Sequence, residues 1–218
     1  MAVFDRAALV QVLSDGIREL QLDISSAQQG QLMDYLTLLS KWNKVYNLTS
    51  LRDPAQMVTH HLLDSLAAVP AFAGAKNVLD VGAGGGLPGI VLAIARPDMQ
   101  VSLVDTVHKK TAFLTQVKAE LGLANVTVYT GRVEELKVSQ PFDVITSRAF
   151  ADLSDFVNWS GQLLAAGGRF IALKGVAPLI EQQRLPGEWK VSELRPLRVP
   201  RLGAERHLVF IERSGPST

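Results

Sequence analysis

The stretch VLDVGAGGGLPGI, residues 78–90, packs an acid and closely spaced glycines between an apolar run and a proline. Glycines there let the chain turn tightly after a strand, and they let a ligand approach the main chain because no β-carbon intervenes. Gly84, Gly86 and Gly89 give G-x-G-x-x-G, the spacing that sets a helix N-terminus against a dinucleotide pyrophosphate. Asp80, Gly82, Gly84 and Gly86 give D-x-G-x-G-x-G, a loop that lies beside the ribose and methionine of S-adenosylmethionine, which has no phosphate to hold. Asp105 ends the next apolar run, where a carboxylate can accept both hydroxyls of a ribose. Either cofactor wants an acid there, so that position does not choose between them. A plain strand-to-helix turn is the structural alternative for the glycines alone.

Such a loop needs strands alternating with helices. Residues 1–70 read as helical throughout. Ser26 with Gln29 has capping-box spacing, Leu32, Leu36, Leu39 and Trp42 recur at helical intervals, and Pro54 suits the first turn of a helix running to about Val69. The boundary falls at 70–76. Beyond it, strands are expected at 77–81, 100–105, 125–130, 142–147, 167–175, 189–197 and 207–212. Helices are expected at 88–95, 109–121 and 153–164, with a short segment at 132–136. Alternation of this kind implies a parallel sheet covered on both faces. No helix separates the last two strands, which suggests an antiparallel edge pair.

Three features together favour S-adenosylmethionine: Asp80 two residues before Gly82, the LLAAGGRFIALK turn at 163–174, and the closing strand pair. The expected fold is therefore α/β, a class I S-adenosylmethionine-dependent methyltransferase. It has a Rossmann-like, seven-stranded, mostly parallel sheet with a reversed last strand, plus an N-terminal helical region. The divisions are 1–70 for the helical region, 71–214 for the cofactor-binding domain and 215–218 for a tail.

The bulk numbers agree with an ordinary soluble domain: 218 residues, 47 % hydrophobic, 20 % charged. The absence of cysteine excludes a disulfide scaffold, a thiol nucleophile and a thiolate metal site. The N-terminus lacks the pattern of a signal peptide, and no stretch approaches the roughly 18 apolar residues of a membrane span. A cytoplasmic protein without membrane or metal partner is expected. A formal charge of +1 leaves room for a local basic face.

Longer motifs occur in a fixed order: WNKVYNLTSLRDP (42–54), HHLLDSLAAVP (60–70), VLDVGAGGGLPGI, VDTVHKKTAFL (104–114), GRVEEL (131–136), FDVITSRAFA (142–151), ALKG (172–175) and AERHL (204–208). In these the chain resembles the bacterial 16S rRNA guanine-N7 methyltransferase family RsmG, also called glucose-inhibited division protein B, over roughly residues 20–212. The resemblance implies methyl transfer from S-adenosylmethionine to N7 of the guanosine at position 527 of 16S rRNA. It also implies cofactor contacts at Gly82, Leu87, Val133, Glu134 and Arg148. In the positions the resemblance implies, a backbone amide near Val133 and Glu134 suits the adenine; by strand position, Asp105 suits the ribose.

N7 of guanine carries a free lone pair and loses no proton before attack, so the reaction calls for alignment and desolvation rather than a strong general base or a metal. An Asp-Pro-Pro-Tyr-like motif, which serves exocyclic amines, is absent; Ser147, Arg148, Ala149 and Phe150 stand in its place. Arg148 is a candidate for the cofactor carboxylate, a substrate phosphate or guanine O6. Lys174, at the end of the fifth strand, is a candidate for a phosphate, with a solvated lysine as the alternative. His61 and Asp64 share a helix face and can pair. By residue physics they read more readily as a satisfied buried pair, with Asn47 making a turn; the resemblance raises all three as residues that orient guanine. A metal site from His60, His61 and Asp64 is disfavoured because adjacent helix residues point about 100° apart.

RNA contact should appear as a positive surface. Lys41, Lys44, Arg52, Lys109, Lys110, Arg195, Arg198, Arg201 and Arg206 are the candidates, and Trp42 and Tyr46 read as core. The expected partner is 16S rRNA in the small subunit or its assembly particle, bound by a monomer. A nicotinamide-dependent oxidoreductase, and a non-catalytic RNA-binding assembly factor on the same fold, are the competing readings.

Overall fold

A computed structural model of the chain describes residues 5–148, 150 and 152–215. Residues 1–4, Ala149, Ala151 and most of the expected tail (216–218) lie outside these. The chain opens with α1 (Arg6–Glu19) and α2 (Ser26–Tyr46). The cap of α2 is Ser25, not Ser26. Its hydroxyl accepts from the Gln28 amide at 3.2 Å, and the Gln28 side chain accepts from the Ser25 amide at 2.9 Å. Two overlapping S-x-x-Q frames occur here, and tertiary contact selects between them. Gln28 also donates to the carbonyls of Ile94 and Ala95, while Gln29 turns back to Ser14.

Pro54 does open the next helix, capped by Asp53, but that helix is not uniform. A short α3 (Pro54–Met57) passes into a π-helical turn (Val58–Leu63), then α4 (Asp64–Ala68) and a 3-10 turn (Val69–Phe72). Periodicity alone does not distinguish a π turn from an α-helical one over so short a span.

The rest alternates: β1 (Asn77–Val81), α5 (Gly89–Ala95), β2 (Gln100–Asp105), α6 (His108–Leu121), β3 (Val126–Thr130), a 3-10 turn (Val133–Glu135), β4 (Phe142–Arg148), α7 (Leu153–Ser160) and β5 (Leu164–Lys174). A 3-10 turn (Glu181–Arg184) precedes β6 (Trp189–Pro196) and β7 (His207–Arg213). The helix expected to reach 164 stops at Ser160, and the following strand starts at Leu164, earlier than the glycine pair suggested. Gly161 abuts Trp189, whose ring atom lies 2.8 Å from where a β-carbon would stand. Gly167 takes a positive φ of 74° within the strand itself.

The sheet is seven-stranded in the order β3-β2-β1-β4-β5-β7-β6. Strands β1 to β5 are parallel, and β7 inserts antiparallel between β5 and β6. The strand order therefore reverses between β1 and β4, which is where open α/β sheets leave a ligand crevice at their carboxyl ends. One face of the sheet packs on α1, α2, α4, α5 and α6 through Leu13, Leu36, Leu66, Ile90 and Phe113. The other packs on α7 and the far strands through Phe156, Phe170, Trp189 and Ile211. Trp42 packs against the first cluster beside Phe113, but Tyr46, expected as core, is 40 % exposed.

The glycine loop is held from below and from one side. Asp80, fully buried in β1, accepts the Gly89 amide at 2.8 Å. Burial raises its carboxyl to about pKa 7, against the opposing pull of the Gly89 amide and the charge of Arg148. The Tyr35 hydroxyl of α2 donates to the Gly85 carbonyl at 2.6 Å, and burial raises its pKa. A β-carbon on Gly89 would lie 2.2 Å from Leu103 and 2.8 Å from the Asp80 carboxylate. Gly89→Ala should thus lower stability by about 1–3 kcal/mol. Gly30→Ala in α2, with nothing within 4 Å of the new methyl, should hold or raise it. Thermal unfolding of the two variants beside wild type checks both directions.

Candidate active site: cavities at the strand ends

Two cavities open at the carboxyl ends of the parallel strands. The first, about 550 Å³, is lined by Gly82 after β1, Asp105 to Val107 after β2, and Gly131 to Glu134 after β3; Phe150 and Trp159 add an aromatic wall. Strand order explains this grouping, because β1, β2 and β3 are consecutive neighbours. Asp105 has one carboxylate oxygen on the Gly84 amide and the other on the Val107 amide, both at 2.9 Å, with Lys110 at 3.7 Å. It thereby ties the glycine loop to the second strand while facing the cavity.

The residues present fit S-adenosylmethionine. Asp105 offers acceptor lone pairs at the cavity wall, where ribose hydroxyls can reach them. Val133 and Glu134 are the first residues of a 3-10 turn, so their amides have no partner within that turn. Gly82, at φ 68°, has nothing within 4 Å of a notional β-carbon, which leaves its backbone open to a ligand.

Not every expected cofactor residue faces this space. Asp80 lies beneath the loop and supports it. Leu87 is buried in the core. Gly84 contributes through its bond to Asp105. Arg148 points elsewhere.

Arg148, Lys174 and Arg206 border the second cavity, about 410 Å³, together with Thr49, Ser50, Leu51, His60, His61, Asp64, Leu173 and Gly175. Asp64, 3 % exposed, accepts from Arg206 Nε at 3.0 Å and from Arg148 Nη1 at 3.5 Å. Arg148 also donates to the His60 carbonyl at 3.1 Å and to His61 Nδ1 at 3.4 Å. His61 Nε2 meets the Thr49 hydroxyl at 2.8 Å. Arginine only donates, so Nδ1 carries the lone pair and Nε2 the proton. Burial first, then the positive charge of Arg148, lowers the His61 pKa to about 4, which keeps the ring neutral.

The expected His61–Asp64 pair is thus replaced by a shared arginine from β4. Lys174 Nζ is bound to Glu181 at 2.7 Å and to the Phe150 carbonyl at 2.8 Å. Asn47 does not line the cavity. It is the left-handed cap of α2, exposed and bonded to Arg52. Sequence reasoning passed over Thr49, Glu181, Phe150 and Trp159; a lone hydroxyl, an acid in a loop and two aromatics carry no spacing signal.

Among the basic candidates, Arg206 reaches this cavity. Arg198 and Arg201 bridge to Glu19 and Asp15 of α1, and Arg195 pairs with Glu193 over the Phe210 ring. Lys41, Lys44 and Lys109 are exposed. Among the described residues, no three His, Asp or Glu side chains gather as a metal site, and no helix is long and apolar enough to cross a membrane.

Comparison with known proteins places these features in context. A family profile described as rRNA small subunit methyltransferase G matches residues 28–209. Two curated proteins, both named ribosomal RNA small subunit methyltransferase G, are similar over nearly the whole chain. That of Herminiimonas arsenicoxydans is 70 % identical, covering 98 % of this chain and 100 % of its own length. That of Janthinobacterium sp. (strain Marseille) is 68 % identical, covering 98 % and 99 %. Among solved structures, the O-methyltransferase TomG from Streptomyces achromogenes, in complex with SAM, superposes with a TM-score of 0.59 at 16 % identity, over 98 % of this chain and 100 % of its own. An O-methyltransferase from Bacillus cereus in complex with SAH gives 0.55 at 18 % identity, over 83 % and 91 %. Likeness at this identity shows the class I methyltransferase fold and no more.

The neutral, buried His61 sets a pH dependence. The unfolded chain takes up this proton near pH 6.5 and the folded chain only near 4. Acidification across that window therefore favours unfolding, by up to about 1.4 kcal/mol per pH unit. Chemical denaturation between pH 7 and 4 should show a steeper loss for wild type than for His61→Gln, and equal slopes would remove His61 as the cause.

Proposed function

This chain belongs to the rRNA small subunit methyltransferase G family, and we propose that it transfers a methyl group from S-adenosylmethionine to N7 of the guanosine at position 527 of 16S rRNA. The observation that supports this most is the division of labour at the strand ends. A glycine-loop cavity fit for the cofactor lies on the β1–β3 side, and a cationic cavity fit for a nucleotide lies on the β4–β5 side.

The bound cofactor supplies a methyl on a sulfonium, already activated by its own charge. The chain's residues hold and align. Asp105 accepts the ribose hydroxyls, and the amides of Val133 and Glu134 meet the adenine edge. Arg148 and Arg206 hold the acceptor nucleotide by its phosphate or by guanine O6, as planar guanidiniums suit either acceptor. His61 stays neutral and accepts from the same Arg148 Nη1 that Asp64 holds, so it takes no proton from the substrate. Lys174 steadies the loop that carries Phe150. Asn47 acts at most through Arg52, which it holds. Walls of partly buried arginine and apolar β-strand exclude water, which sharpens the alignment the reaction needs.

In this reading residues 1–70 form the cover that brings His61 and Asp64 over the sheet, and residues 71–214 carry the cofactor. The protein works as a cytoplasmic monomer on the small subunit or its assembly particle. The nicotinamide reading has no second domain to present a hydride acceptor, and the family match speaks against a role without catalysis.

Tritiated methyl transfer to small-subunit RNA, followed by mapping of the modified nucleotide, tests the assignment. Label at N7 of the stated guanosine is expected, and label confined to an exocyclic amine would overturn it. Arg148→Ala should lower kcat/KM by about a hundredfold. Its effect on the unfolding midpoint should be small, because Asp64 keeps Arg206. Wild-type turnover in that variant would refute the role of Arg148.

A further inference from the structure

The chain leaving β5 carries apolar side chains turned outward at the rim of the acceptor cavity. Lys174 and Gly175 are part of the cavity wall. Directly after them, Val176, Leu179 and Ile180 are 73, 56 and 67 % exposed. Single exposed apolar residues are ordinary, whereas a cluster of them marks a contact surface.

This segment is not loosely tethered. Pro178 is buried among the three, and its carbonyl accepts the Gln182 amide at 3.0 Å. Glu181 takes Lys174 at 2.7 Å and the Leu153 amide at 3.1 Å, and the Ser154 hydroxyl donates to the Arg184 carbonyl at 2.8 Å. A polar latch onto the start of α7 therefore presents an apolar edge to solvent.

Arginines flank that edge. Arg206 lies 3.8 Å from a notional β-carbon on Gly175. Further along the chain, Arg184 is exposed and enters no ion pair among the described residues. Interfaces between proteins lose charge toward their centre, whereas nucleic-acid interfaces are strongly positive. An apolar edge between cations, continuous with a nucleotide-sized cavity, fits RNA.

We propose that residues 176–180 are an apolar wedge that packs against the bases beside the target guanosine and holds that guanosine out of its stack, over the cavity. A base buried in a stack is out of reach of an enclosed site until it is extruded. Apolar side chains set between base steps stabilise such an opening. The inference rests on the rRNA methyltransferase reading above.

The test combines Val176→Ser, Leu179→Ser and Ile180→Ser in the full chain. Because all three side chains are exposed, the unfolding midpoint and the calorimetric affinity for S-adenosylmethionine should match wild type. KM for unmethylated small subunits should rise by about tenfold, and the Kd for deproteinised 16S rRNA should weaken in parallel. The conservative pair Val176→Ile with Ile180→Leu should keep wild-type values. An unchanged KM in the serine variant overturns the wedge. So does a loss that follows a fall in stability or cofactor affinity, or one seen with subunits but not with naked rRNA, which would assign the edge to a ribosomal protein. Wild-type protein that methylates no rRNA would instead overturn the underlying activity, a separate and earlier failure.

Discussion

A buried carboxylate must be paired, and the pairing of Asp64 organises the arginine-lined cavity of this molecule. Asp64 begins α4, inside the N-terminal helices; Arg148 ends β4, and Arg206 immediately precedes β7. Taking an unpaired carboxylate out of water is prohibitive, while two guanidiniums with good geometry compensate it. The requirement draws three distant parts of the chain to one point. It also leaves a surplus of positive charge, since one carboxylate faces two arginines, while Lys174 nearby is neutralised by Glu181. A cavity so built attracts an anion without exposing a naked cation to the core.

The donor side follows the same logic on a smaller scale. Asp80 and Asp105 are both carboxylates next to the glycine loop, yet their environments divide their tasks. Asp80, sealed beneath the loop, holds the Gly89 amide and is pushed toward the neutral form. Asp105 sits at the cavity wall, bonded to the Gly84 and Val107 amides and near Lys110. One acid shapes the turn and the other faces the cavity. Tyr35 adds a third tether from α2, so the loop conformation depends on the helical region as much as on its own glycines.

Much of this was legible in the residues. Strand and helix alternation, the glycine spacing and the missing helix between the last strands define the class, because each is a local pattern with one economical solution. The cofactor side was also largely legible, since strand ends converge wherever parallel strands run together; Gly82, Asp105, Val133 and Glu134 line one cavity as that rule implies. What local pattern leaves out has a common cause. Motif position does not report burial, and the structure buries the side chains of Asp80 and Leu87 away from that cavity. His61 and Asp64 were paired because helical spacing ignores an arginine that arrives from β4. Thr49 and Glu181 went unnoticed because neither stands in a pattern.

By itself the sequence determined the fold class, the number of strands, their mostly parallel direction with a reversed last strand, and the glycine loop after the first strand, because these depend on periodicity and on backbone freedom at glycine; the order of strands within the sheet came from the structure. Only the tertiary structure decided that Arg148 borders the second cavity, that His61 is held neutral beside it, and that Glu181 ties Lys174 to the start of α7. Those roles depend on which side chains meet across long separations in the chain, and on how deeply each is buried. Charge compensation and desolvation act through space, and local spacing carries no record of them.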